Sequence, residues 1–374
     1  MILQLKRGIK SVARFIYMSF YSKPRYILSL ISSPDKYCKH ISYYPEKAPK
    51  TKYRVLLEQL SQTLRYGYPN DFYFSYGFDV KSKREMSEYL HYAPFSILRN
   101  KYNLQKHSST AILRNKFFFG MFCEYLGVNS GDNIGLITKS SVYLPHSKRT
   151  MTIDSFCTQF NGDYFVKLID GECGCGIFTL SLDNGMISLN GKQASAHELL
   201  QTTNGGKYLI QTKITQHPLM ASLHPQSLNS IRLVTIKNIN TGKITVFPSI
   251  LRIGTGLSFV DNTSQGGIAV GINISTGHLN EYGFLKPQFG GRIDRHPDSK
   301  IKFAEFQIPY FKEALDQAIH LHSMLPDIHS IGWDIAIGIN GPVFIEGNDN
   351  WEINGPQICH GGLKNIFENL LLGK

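Results

Sequence analysis

The densest chemistry in the chain lies in residues 331–354, where acids and amides interrupt and follow apolar runs. Ile331–Ile339 and Val343–Ile345 flank Asn340-Gly341-Pro342, a pattern that predicts two buried strands joined by a hairpin turn. Asp334 sits inside the first run, while Glu346 and Asn348 close the second. Alternation along a strand puts Glu346 and Asn348 on one face, and pairing about the turn brings Asp334 beside Glu346. Three oxygen-bearing side chains grouped this way suit a hard divalent cation such as Mg2+. The competing reading is a strand end with solvated acids.

A second chemical group comes earlier. Asp163–Ile169 reads as a strand carrying Lys167, followed by the loop Asp170-Gly-Glu-Cys-Gly-Cys-Gly176 and a strand over Ile177–Leu182. Gly171, Gly174 and Gly176 leave backbone N–H groups free to close over phosphates, and Lys167 would add a point charge. No Gly-Lys-Ser/Thr follows and no helix opens there, so the stretch is not a P-loop. A glycine hairpin with a solvated lysine is the alternative. Cys173 and Cys175 lack the second pair of ligands that a metal or redox role would need. Lys207–Ile214 predicts another strand, with Gln211 and Lys213 near its end. Arg232 and Arg252 lie within the apolar strands Ile231–Ile236 and Ile244–Ile253, where an unpartnered charge is costly, so each needs an acidic or phosphate partner. Phe259–Ile272 is a polar glycine loop, holding Asn262, that runs into a strand.

These residues need elements to position them, and 374 residues are enough for two or three packed lobes. Residues 22–110 are rich in Tyr, Lys and Arg, with helical periodicity around Leu56–Leu64. Arg114–Tyr125 predicts a helix with a dense aromatic side, and strands are expected from about Ile153 onward. Ala196–Thr203, Ile308–Leu325 and Leu363–Leu372 read as helices. Met1–Tyr21 mixes Lys6, Arg7, Lys10 and Arg14 with apolar residues at helical spacing. Its charges exclude a membrane span, but a basic amphipathic helix could lie on an anionic membrane or dock on its own domain.

The net charge of +12 and a pI near 9.3 call for anionic partners such as phosphates, acidic glycans, nucleic acid or a membrane surface. Six scattered cysteines without zinc-site spacing, and no recognisable signal peptide, lead to an expectation of reduced thiols and a cytoplasmic protein, with the inner face of the membrane as its place if the first helix meets lipid. No Ser-His-Asp spacing or reactive cysteine argues for a covalent mechanism. Of the histidines, His296 is the one to test, against a structural role.

Taken in order, these parts resemble the ATP-grasp superfamily: lysine strand, glycine loop, hinge strand, arginine strands, Asn…Gly-Gly loop, and an Asp…Glu-x-Asn hairpin. Gln216-His-Pro218, Asn229-Ser-Ile-Arg232, Val260-Asp-Asn262 with Gly266-Gly267, His296-Pro-Asp298, and Gly332-Trp-Asp334 with Glu346-Gly-Asn348 resemble one branch more closely. That branch is the sugar-transfer-associated ATP-grasp proteins, related to alpha-L-glutamate ligases, and the likeness covers roughly residues 85–365. It implies an α+β fold in which two lobes clasp ATP: residues 1–110 as a basic, mainly helical N-terminal region, 111–210 as the small lobe, and 211–374 as the large lobe with the metal site. It further implies that Asp334, Glu346 and Asn348 hold Mg2+. Lys116, Lys167 and the loop of Gly171, Gly174 and Gly176 would contact phosphates. Gln211, Lys213 and Ile214 would meet the adenine at the hinge, although that first position is usually Glu. Arg232, Arg252 and Asn262 would surround the transferring phosphoryl group.

The chemistry so implied is ATP-dependent ligation, in which a carboxylate becomes an acyl phosphate and an amine displaces the phosphate. The expected substrates are a small-molecule or glycan acid and an amine donor, with a uronate amide in surface-polysaccharide (capsule) biosynthesis as the leading expectation. Nucleic acid is not an expected partner. The alternatives are a kinase-like phosphoryl transferase on the same fold, or a non-enzymatic binder of membrane or nucleic acid.

Overall fold

The computed structural model describes residues 17–38, 41–103, 109–171 and 176–373. Most of Met1–Tyr21, together with Cys173, Gly174 and Cys175, therefore lies outside the described residues.

Two antiparallel sheets organise the chain. The first has eight strands: β1 (Asn133–Thr138), β2 (Ser141–Leu144), β3 (Arg149–Thr152), β4 (Gly162–Leu168), β5 (Ile177–Asp183), β6 (Met186–Leu189), β7 (Lys192–Ala194) and β8 (Lys207–Thr212). Their order across the sheet is β3-β2-β1-β8-β4-β5-β6-β7. Alternate residues such as Ile137, Tyr164, Val166, Leu180 and Ile210 enter one core with the helices Ile153–Gln159 and Ala196–Thr203. The opposite side carries Phe165, Lys167 and Thr179, so Lys167 points away from that core by the period of two.

The second sheet has seven: β9 (Ser230–Lys237), β10 (Ile244–Ile253), β11 (Ile268–Ile272), β12 (Leu279–Phe284), β13 (Arg292–Ile293), β14 (Ser330–Gly338) and β15 (Gly341–Asn348), ordered β13-β12-β11-β10-β9-β14-β15. Every residue of β14 is buried, because both faces are covered. Ile231, Leu233, Leu251, Ile253, Trp333, Ile335 and Ile337 fill one face with the helix Phe311–Ser323. The helices Ser109–Arg114 and Lys116–Tyr125 send Leu113, Phe119 and Cys123 into that same core. On the other face Val234, Ile236 and Phe247 meet Trp351, Phe367 and Phe95, the last from the N-terminal helix Tyr92–Tyr102. Gly332 permits this covering, since a Cβ there would meet the Cβ of Trp351 at 2.6 Å.

Several expected elements shift. Strands begin at Asn133, before the expected Ile153, and Ile153–Gln159 is helical because Thr152 caps it by accepting the Ser155 N–H. The aromatic helix splits at Asn115, whose side chain accepts from Phe117 and Phe118 and starts a new helix at Lys116. In the hairpin the loop is Ile339-Asn340, and Pro342 lies within β15 opposite Ile337. β15 is the edge of the sheet, where a missing N–H is tolerated. No described helix is long and apolar enough to cross a membrane.

Candidate functional site

Strand register assembles the site. Arg232 on β9 pairs directly with Asp334 on β14, and Asp334 with Glu346 on β15. Ser230 on β9 pairs with Arg252 on β10. All project from the face opposite Ile231, Trp333 and Leu251, so four neighbouring strands present one transverse group of charges.

Within it, Arg232 donates to both Asp334 oxygens, from Nη2 at 3.0 Å and from Nε. Arg252 Nη2 reaches Asp334 Oδ2 at 2.9 Å and donates to Ser230 Oγ at 2.8 Å, and Ser230 in turn donates to Asp261. Burial would raise the Asp334 pKa, yet Arg232 and Arg252 hold its carboxyl far below the ordinary range. Burial also opposes the Arg252 charge, but Asp334 and Asp261 outweigh it and raise its pKa. Glu346 differs: burial and the neighbouring Asp334 push it up, against the pull of Lys116. Asn348 Nδ2 donates to Glu346 Oε1 at 3.2 Å.

The facing wall comes from the eight-stranded sheet. Lys167 Nζ donates to Gln211 Oε1 at 2.8 Å; burial and the nearby Lys116 lower its pKa to about 8. Lys116 opens its helix, donates to the Gly171 carbonyl at 2.6 Å and lies 3.6 Å from Glu346. One cleft of about 2600 Å³ runs between the walls. Lys116, Lys167, Gly171, Lys213, Ile214, Arg232, Arg252, Asn262, Asp334, Glu346 and Asn348 all line it. The N-terminal region adds Ile41, Asp71, Phe72 and Ser75 to the lining.

Three expected site residues are placed differently. Gln211 is buried behind Lys167, its amide donating to the Ser130 carbonyl at 2.8 Å and to Asn133, so it orients the lysine and leaves Thr212–Thr215 to line the hinge. Gly176 enters β5 with φ +69°, its carbonyl accepting the Leu168 N–H, while Gly174 is outside the described residues. Asn262 lines the cleft but uses Oδ1 to accept the Ser264 N–H of its own turn; it is the adjacent Asp261 that meets Ser230 and faces Arg252 at 3.8 Å.

Other motif residues form a brace. Asn229 donates to the Met220 and His224 carbonyls, Gln216 accepts the Asn229 N–H at 2.7 Å, and the Asn229 side chain accepts the Gly254 N–H. Both ring nitrogens of His296 are used on backbone, at the Gly254 carbonyl and the Asp298 and Ser299 N–H groups, so it is structural. The loop after β15 is held from the N-terminal region: Asn103 bonds Ser330 and Asp349 backbone, Arg99 bonds Trp351 and Asn350, and Tyr76 donates to Asn354 at 2.7 Å. Ser230, Asp261 and these N-terminal braces were missed in the sequence. Only the placement of Ser230 two residues before Arg232, hence on its face, was a usable signal.

Two unequal sheets facing across a cation-rimmed cleft define the nucleotide-clasping ATP-grasp class. A family description of sugar-transfer-associated ATP-grasp proteins matches residues 97–370, and the chain belongs to that family. Among solved structures, the chain is similar to D-alanine–D-alanine ligase from Helicobacter pylori, with 13% identity, a TM-score of 0.41, and coverage of 74% of this chain and 64% of that one. It is similar also to N5-carboxyaminoimidazole ribonucleotide synthetase from Thermotoga maritima, at 12% identity and TM-score 0.36, covering 69% of this chain and 44% of that one. The chain spans about half the length of the first solved structures it matches. No curated protein sequence matches it.

Proposed function

We propose that this chain is an ATP-dependent carboxylate–amine ligase that joins an amine to an acidic sugar. The observation that carries the reading is the convergence of Lys116 and Lys167 from one wall with Arg232 and Arg252 from the other on a single cleft. Phosphoryl transfer requires positioning and charge neutralisation more than a protein nucleophile; the arginines fixed on Asp334 suit the first and Lys167, held by a neutral amide, suits the second. Lys167 is held by a neutral amide and is charged below about pH 8, so it is ready for phosphate oxygens. The arginines are locked by Asp334, which sets their unused N–H groups in place to orient an acid and stabilise charge on the transferred group. Phe165, Ile177 and Ile214 give the cleft an apolar surface for a base.

The donors fit Mg2+. Asp334, Glu346 and Asn348 carry hard oxygens on paired strands; Arg232 and Arg252 already occupy both Asp334 oxygens, which leaves Glu346 and Asn348 as the open donors. Among the described residues no group of three or more His, Cys, Asp or Glu is placed to hold a metal ion, so any such site here would combine fewer carboxylates with the Asn348 amide. A magnesium ion held there would neutralise phosphate charge.

The family description and the lysines and arginines that line the cleft support an acidic sugar as the activated carboxylate, and with it a cytoplasmic step in polysaccharide assembly. The test is incubation of the purified chain with ATP, Mg2+, a hexuronate and an amino acid. Equal amounts of phosphate and amide are expected, and none with Glu346→Gln. ADP with a stable phosphorylated acid and no amide would replace the ligase by a phosphoryl transferase. No turnover with any uronate and amine would contradict both.

A further inference from the structure

Charge is distributed very unevenly along the chain. Residues 1–66 hold thirteen Lys and Arg against three Asp and Glu, which is +10 of the total +12, and the first acid is Asp35. The remaining 308 residues are nearly neutral, so the surplus is not explained by the cleft.

The described part of this region leaves apolar surface outside. The helices Lys23–Ser32 and Lys52–Tyr66 pack together, burying Leu30 on one and Val55 on the other. Tyr21, Leu28 and Ile31 recur at helical steps on the outward side, with Leu28 65% and Ile31 72% exposed. Tyr53, Leu57 and Leu64 do the same on the second helix, with Tyr53 82% and Leu57 62% exposed. Phe20 is exposed at the entry to the first. Arg25, Lys36, Lys52, Arg54 and Arg65 are exposed around these residues. Asp35 and Glu58 are already taken by Lys52 and by Lys50 and Arg54.

We propose that the outward faces of these two helices form a docking surface for an anionic lipid membrane. Aliphatic side chains such as Leu28, Ile31 and Leu57 enter the acyl boundary while the surrounding Lys and Arg meet headgroup phosphates. The two signals together are what reversible anchoring requires, since neither a few side chains nor charge alone holds a protein of this size. Nucleic acid would use the cations but has no place for exposed aliphatic residues. A protein interface core is depleted of charge, unlike this one. The same N-terminal region lines the cleft through Ile41, Asp71, Phe72 and Ser75, which joins the surface to the site.

The test is co-sedimentation of the full chain with vesicles of equimolar phosphatidylcholine and phosphatidylglycerol, and with phosphatidylcholine alone. Binding to the anionic vesicles only is expected. A combined Leu28→Ser, Ile31→Ser, Leu57→Ser variant should lower it by about tenfold or more without changing the melting temperature, because those side chains are exposed in the folded state. Lys23→Glu with Arg25→Glu should lower it independently. Absence of binding to anionic vesicles would overturn the proposal. So would binding that the serine variant leaves unchanged, self-association abolished by that variant with no vesicle binding, or tighter retention on single-stranded nucleic acid that survives it.

Discussion

The two walls of the cleft carry the same kind of charge in opposite conditions. On the seven-stranded side, Arg232 and Arg252 are neutralised within the protein, both clamped on Asp334, and that carboxylate is held far below the ordinary range. On the eight-stranded side, Lys167 has a neutral amide for its partner and a like-charged neighbour in Lys116, and its pKa falls to about 8. The arginine pair is neutralised without a ligand; Lys167 has only a neutral amide for a partner, and an anion would stabilise its charge. Under the proposed function the difference gives them separate tasks: the arginine wall would be a rigid template and the lysine wall would bind phosphate.

The comparison can be broken by removing one member from each wall. Asp334→Ala removes the shared carboxylate from two half-buried guanidinium groups, leaves Arg252 only Ser230 and the more distant Asp261, and should cost about 3–5 kcal/mol in urea unfolding. Lys167→Met should leave stability unchanged or raise it, since the lysine charge is disfavoured in the ligand-free fold. Equal losses in both would erase the distinction. A smaller effect is expected from the brace behind the arginine strand. Asn229→Ala strands the Met220 and His224 carbonyls and the Gly254 N–H, and about 1–3 kcal/mol of stability should be lost, read by thermal unfolding.

Titration separates the walls by sign. Asp334 has a depressed folded pKa, so its contribution is present at neutral pH and is lost as pH falls below the ordinary carboxylate value of 3.8. Lys167 also has a depressed folded pKa, but as a cation it costs stability at low pH, and the cost is relieved as pH rises from about 8 toward 10.5. Unfolding at about pH 7 and about pH 10 should therefore show a stability gain attributable to Lys167, absent in Lys167→Met. Smallest of all is Asn262→Ala, which loses a local turn contact and should change stability by about 1 kcal/mol or less, with turnover largely kept.

Much of this was legible in the residues. Strand period and hairpin pattern place Asp334 beside Glu346, because alternation and short-range pairing are local properties. Arg232 in an apolar strand called for an acidic partner, and Asp334 supplies it from the neighbouring strand. What was not legible depends on contacts far apart in sequence. Gln211 reads as a hinge ligand until Ser130 and Asn133, about eighty residues earlier, are seen to bury its amide. Asn262 was preferred over Asp261, since which of two adjacent polar residues faces Arg252 depends on a short turn that has no period. His296 is the histidine to test in sequence, yet its partners are backbone groups, which no pattern of side chains announces.

In the proposed function the cleft takes the phosphates of a nucleotide on the lysine wall. Calorimetric titration of magnesium–ATP into the wild-type chain and Lys167→Met, at about pH 7 and about pH 10, tests it most directly. Binding is expected at the lower pH, weakening as pH rises through about 8, with an affinity in Lys167→Met lower by about 100-fold and no longer tied to that titration. Equal affinity in the two proteins at neutral pH would contradict it.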